Sequence, residues 1–233
     1  MVDEASFDEV VATIVAGKGG EVRGLLARLS ANPAHAHSVL DELSRSGDPL
    51  LRFWAATAIR DTIGRQGTDI LLRLFHDRAS EVRDEALKSL LKVDKEAARS
   101  LGPSLRQRLR SKEIFGPIPA MWAIAEMGDI DAVPALEEVV RTAERPFHRN
   151  TAAVVLMLLR NDETGILSRI RAHEHNMMPV LAIGARMLGT AEAVRVLEEC
   201  AASAPDAECQ HDCEQQLLEL QGVDTSEIWT DEA

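Results

Sequence analysis

Three cysteines and a histidine crowd one short stretch of the chain: Cys200, Cys209, His211 and Cys213. Thiolates and an imidazole are the donor set of a tetrahedral zinc site. Spacing argues against the simple version. Cys209 and Cys213 stand one helical turn apart and share a face, whereas His211 between them points to another. Cys200 has to approach from a preceding helix. A disulfide is an alternative that a reducing compartment disfavours. Small apolar filling between two helices accounts for all three cysteines and asks for no further partner. The expectation is no bound metal and no cofactor, with these four residues as the candidate ligands if a metal binds.

A second concentration is electrostatic. The chain carries a formal net charge of −12, yet Arg99, Arg106, Arg108, Arg110 and Lys112 follow one another without an intervening acid. Leu101, Leu105 and Leu109 mark a buried helical stripe. Arg99, Arg106 and Arg110 then fall along one flank at i, i+7, i+11 spacing. Guanidinium forks bind carboxylates bidentately and are favoured at the centres of protein interfaces. Arg99, Arg106, Arg108 and Arg110 are therefore read as partner-binding residues for an acidic protein. The plainer role for the same cations is to complement a helix C-terminal dipole.

Other chemistries lack their residues. No G-x-S-x-G elbow, P-loop or G-x-G-x-x-G after a strand occurs, so no catalytic residue is assigned. Gly17, Gly19 and Gly20 have no strand before them and no Lys-Ser/Thr after them, and read as a helix connection. His173-Glu174-His175 is a single histidine–carboxylate group. Trp54 and Trp122 fall in apolar helical stripes and are read as core.

The net charge works against nucleic-acid and anionic-membrane partners. The opening residues MVDEASF lack a basic, apolar leader, and the apolar stretches 152–159 and 177–185 are too short to cross a bilayer. A cytoplasmic protein is expected. Aromatic residues make up 3% of the chain and Tyr is absent, so the core has to be built from Leu, Ile, Val, Ala and Met, which suits packed helices.

Those helices repeat. LLRFWAATAI (50–59) recurs as EVRDEALKSL (81–90) and as FHRNTAAVVL (147–156), with Arg52, Arg83 and Arg149 in one position, 31 and then 66 residues apart. IPAMWAIAEMG (118–128) fills the gap without the arginine, and VLAIGARMLG (180–189) is a further copy. After each comes a break and a second helix. In AEMGDIDAVPALEEVV (125–140), Gly128 suits a left-handed helix end, Asp131 a cap, and Pro134 a first turn. Asp48-Pro49 and Ser80 read as start signals for first helices. Helix pairs are predicted at about 20–47, 48–77, 80–110, 113–143, 145–174 and 176–203, with cap helices near 5–16 and 206–221.

LLRFWAATAI and MGDIDAVPALEEVV resemble the short HEAT-like repeats of phycobilin lyases and bacterial scaffold proteins, over roughly 48–200. The resemblance implies an all-α solenoid, a right-handed superhelix of about six helix pairs, as one domain over 1–222; the residues VDTSEIWTDEA read as an acidic, flexible tail at 223–233. It implies a non-enzymatic scaffold that grips a protein on its concave surface. It implies chromophore handling as the alternative, and HEAT-like DNA glycosylases as a more distant one that the charge and the scarcity of aromatics oppose. His173-Glu174-His175 is also similar to the His-Glu pairs of HEAT-repeat di-iron hydroxylases, which need several such pairs. Far-UV circular dichroism is expected to show a helical spectrum, and an appreciable sheet component would contradict the repeat.

Overall fold

The computed structural model describes residues 6–16, 19–111 and 116–222, apart from the side chains of 19–23. Lys112 and the acidic tail 223–233 with Trp229 lie outside these. Among the described residues the secondary structure is entirely helical. The helices are α1 (Phe7–Ala16), α2 (Gly19–Ser30), α3 (Pro33–Leu43), α4 (Pro49–Thr62), α5 (Thr68–Leu74), α6 (Ser80–Val93), α7 (Lys95–Ser100) and α8 (Gly102–Arg108). They continue with α9 (Pro117–Met127), α10 (Val133–Thr142), α11 (Pro146–Leu159), α12 (Glu163–Arg171), α13 (Met178–Leu188), α14 (Ala191–Ser203) and α15 (Ala207–Leu220). The six expected pairs are all present, with the second helix of the third pair split into α7 and α8. None of the helices is long and apolar enough to cross a membrane.

The chain divides into two compact units, Met1–Ser104 and Leu105–Ala233. In the first, the leading helices of successive pairs, α2, α4 and α6, pack side by side, with α3 against α4 and α5 against α6. In the second, α9, α11, α13 and α15 form such a row, and α12 and α14 pack as the second layer. A lone pair has one apolar face with nothing to cover it, and the neighbouring pair supplies the cover. The core of the second unit runs from Val154 through Ile166, Ile170, Leu181 and Val196 to Cys209 and Cys213. Gly184 lets α13 approach α11 closely, since an added Cβ would stand 2.6 Å from a Val154 methyl.

Local signals explain most boundaries. Asp48 accepts from the Leu50 amide at 2.9 Å, and Pro49 opens α4. Gly128 and Gly189 end α9 and α13 with φ of 67° and 62°, a conformation glycine adopts without strain. Two expectations need correction. Asp131 does not cap α10: it sits in a short 3-10 turn, Ile130–Ala132, and α10 starts after it with Pro134 in its first turn. Trp54 and Trp122 are half-buried rather than fully enclosed, with Trp122 packed against the margin of the second unit's core.

The recurring arginine has one structural role. Arg52, Arg83 and Arg149 are each the fourth residue of a fourteen-residue helix. Each turns one terminal nitrogen back onto two carbonyls of the preceding loop. Arg52 donates to Ser46 and Gly47 at 2.9 and 3.1 Å. Arg83 donates to Asp77 and Arg78, both at 3.1 Å. Arg149 donates to Ala143 and Glu144 at 2.6 and 3.0 Å. Arg52 also binds the Asp77 carboxylate through Nε and Nη2 at 2.6 and 2.8 Å, with both side chains buried. The Arg52 hydrogen bonds, with help from the Ala79 amide, hold the Asp77 carboxyl below its ordinary value of 3.8.

Removing one partner of a buried pair leaves the other charge uncompensated, so Arg52→Ala is expected to cost about 3–5 kcal/mol in urea unfolding. Asp77 is depressed on folding, so its contribution is complete above its unfolded value near 3.8 and disappears as pH falls through the lower folded value. The wild type should therefore lose more stability than Arg52→Ala below about pH 4. Parallel pH profiles for the two proteins would contradict the pairing.

Candidate functional site

The basic segment is not one helix. Pro103 lacks the N–H that would bond the Arg99 carbonyl, and its ring crowds that carbonyl, so the chain breaks between α7 and α8. Leu101, Leu105 and Leu109 are buried as the spacing predicts, at 7, 0 and 4% exposure. The arginines above them do not form a single flank. Arg99, on α7, is exposed and pairs with Glu96 one turn earlier. Arg106, on α8, is partly buried and donates one nitrogen to both oxygens of Asp129, at 2.8 and 2.9 Å, with Asp131 at 3.7 Å. Asp129 opens the turn after α9, so this pair ties α8 to the α9–α10 connection. Arg108 donates to the Gly116 carbonyl at 3.4 Å, at the entry to α9. Arg110 is exposed in the turn that follows α8. The segment thus divides into Arg99 and Arg110, turned to solvent, and Arg106 and Arg108, engaged with their own unit.

The second candidate is the cysteine group. Cys200 on α14 and Cys209 and Cys213 on α15 are all buried and all free thiols. The Cys200 thiol lies 3.7 Å from the Cys209 carbonyl, so the approach from the preceding helix takes place. Desolvation raises all three thiols, Cys209 up to about 12 with Asp206 adding to the effect. Neutral thiols of this kind are poor nucleophiles. Asp206 caps α15 by accepting from the Cys209 amide at 2.8 Å, and that bond, followed by a contact with the thiol, keeps its carboxyl below the usual range.

His211 is exposed on another face of α15, as its position between the cysteines requires. A different histidine meets the group. His175, in the turn His175–Met177 before α13, places Nδ1 3.7 Å from the Cys209 sulfur and 3.6 Å from Asp206 Oδ2. Its Nε2 lies 3.6 Å from Glu208. It comes from the neighbouring helix of the row: His175 lies three residues before α13, and Cys209, 34 residues further on, is the third residue of α15. Of the rest of the His173-Glu174-His175 group, Glu174 is paired with Arg169 at 2.9 Å, and His173 ends α12 in the left-handed conformation.

Residues 120–142, spanning most of α9, the link after it and all of α10, match the family model of the PBS lyase HEAT-like repeat. The α9–α10 pair is therefore a HEAT-like repeat, in a chain of six successive helix pairs. No curated protein matches the sequence. Among solved structures, the crystal structure of an engineered protein aligns with 93% of this chain and 96% of its own, with 15% identity and a TM-score of 0.42.

The contrast between the arginines is measurable. Arg106→Ala should cost about 1.5–3 kcal/mol, because it strips a partly buried charge-assisted bond. Arg99→Ala should cost less than about 0.5 kcal/mol, because an exposed i, i+3 pair contributes little. Equal losses in denaturant unfolding would contradict the assignment.

Proposed function

We propose that the chain is a non-enzymatic, cytoplasmic scaffold that binds a protein partner on the surface of its helix pairs. The observation that carries this reading is how the repeat uses its polar side chains. Arg52, Arg83 and Arg149 close loops, and Arg106 is committed to Asp129. The functional groups that a repeat offers to other molecules are then the outward faces of its helices. Stacked helix pairs expose a long surface for their length, and such stacks bind extended partners. Large apolar side chains already stand outward at the second position of two first helices, Leu50 on α4 and Phe147 on α11, at 47 and 43% exposure. Of the basic segment, Arg99 and Arg110 are the residues open to an acidic partner, while Arg106 and Arg108 keep the segment in shape.

The matched repeat takes its description from PBS lyases, and half-buried Trp122 lies inside the matched stretch. These favour chromophore handling as a second reading. Mixing the purified chain with a bilin separates the two: a lyase-like protein shifts the visible absorption of the pigment, and a scaffold leaves it unchanged.

The scaffold reading is tested by affinity capture with the full chain, followed by the same capture with Arg110→Glu and with Arg99→Glu, each alone. At least one charge reversal should reduce recovery of the captured partner severalfold while the helical spectrum and melting temperature stay as in the wild type. Undiminished capture by both variants would remove the basic segment from the binding surface.

A further inference from the structure

We propose that His175, Asp206 and Cys209 form a three-ligand site for a divalent metal ion of the zinc class, at the surface where the turn before α13 meets the start of α15. The expectation of no metal rested on His211, which the structure turns away. His175 supplies the imidazole in its place.

The geometry is that of ligands around one point. His175 Nδ1 is 3.7 Å from Cys209 Sγ and 3.6 Å from Asp206 Oδ2, and all three donor atoms lie within 4.8 Å of one another. Around tetrahedral zinc, with bonds of about 2.3 Å to sulfur and about 2.0–2.1 Å to nitrogen and oxygen, neighbouring donors sit roughly 3.4–3.7 Å apart. Two edges of the triangle already have that spacing. Without a metal these approaches are an ion pair between His175 and Asp206 and a thiol contact from Cys209 to the imidazole, and a bound ion would replace both.

Asp206 and Cys209 are fixed by the start of α15. Asp206 spends Oδ1 on the Cys209 amide, and this cap aims Oδ2 at His175. Cys209 is one turn into α15 and 1% exposed, so its sulfur forms the floor of the site. His175 and Asp206 are open to solvent and form the rim, which leaves a fourth position for water. Glu208 stands 3.6 Å from His175 Nε2, the place of the carboxylate that orients a metal-bound imidazole. Nitrogen, oxygen and sulfur donors together suit zinc or cobalt and exclude the all-oxygen preferences of magnesium and calcium. On binding, the Cys209 thiol forms the metal–sulfur bond and releases its proton to solvent, one per ion.

The test is titration of the full-length, reduced, chelator-treated chain with Co²⁺, followed by its visible bands and the near-ultraviolet thiolate-to-cobalt band. One Co²⁺ per chain is expected, with both signals abolished by Zn²⁺. His175→Ala changes an exposed side chain, and Asp206→Asn keeps the helix cap, so both variants should retain the wild-type circular dichroism. His175→Ala should bind roughly 100-fold more weakly or not at all, and Glu208→Gln about tenfold more weakly. Cys209→Ser should lose the charge-transfer band, and if that variant does not fold, the His175 and Asp206 variants decide. No tetrahedral cobalt spectrum at large excess overturns the site. So does undiminished binding by His175→Ala, which would place the ion on the other cysteines.

Discussion

A guanidinium folded back onto the loop before its own helix is the interaction that three of the helix pairs share and that the entry to each of them depends on. Consecutive pairs are joined by loops of a few residues, and the carbonyls of those loops have no partner within either helix. One arginine nitrogen at the fourth helix position reaches two such carbonyls at once, six and five residues back, at all three of its occurrences. At Arg52 the same side chain extends to Asp77, which in turn accepts from the Ala79 amide at 2.8 Å and so starts α6. One charge therefore shapes the entry to its own helix and the entry to the next.

Where the arginine is missing, other devices take over. The fourth residues of α9 and α13 are Ala120 and Leu181, both fully buried, so these helices spend the position on packing. The loop before α13 is instead held from the neighbouring pair, by Asn150 of α11 donating to the Asn176 carbonyl at 2.8 Å. Much of the remaining arginine content also joins one pair to the next. Arg73 meets Asp41, Arg60 meets Glu85, Arg171 meets Glu192 and Arg186 meets Glu219. In a chain of net charge −12, cations used this way are absorbed by the fold, and an arginine-rich segment need not be a binding surface along its whole length.

The fold was legible in the sequence because its signals are local. Helical periodicity, Gly128 and Gly189 as stops, and Asp48-Pro49 as a start are decided within a few residues. The repeated arginine was visible as a position, though its carbonyl targets lie in loops that carry no side-chain signature. The candidate sites were less legible. Reading Arg99, Arg106 and Arg110 as one flank assumed an unbroken helix, and the effect of Pro103 on the turn before it outweighed the regular spacing of Leu101, Leu105 and Leu109. The partner of Arg106 is Asp129, 23 residues on and across a helix pair. His175 was missed for a related reason. Proximity in sequence favoured His211, whereas His175 reaches the cysteines because α13 and α15 pack side by side.

The central claim, that the arginine clamp organises consecutive pairs, is tested most directly by amide hydrogen exchange in Arg52→Leu against the wild type. The clamp predicts faster exchange in the loop before α4 and at Ala79, whose amide depends on Asp77 being held by Arg52, with the helices of Leu105–Ala233 unchanged. Wild-type protection at Ala79 and in that loop, with the arginine gone, would contradict it.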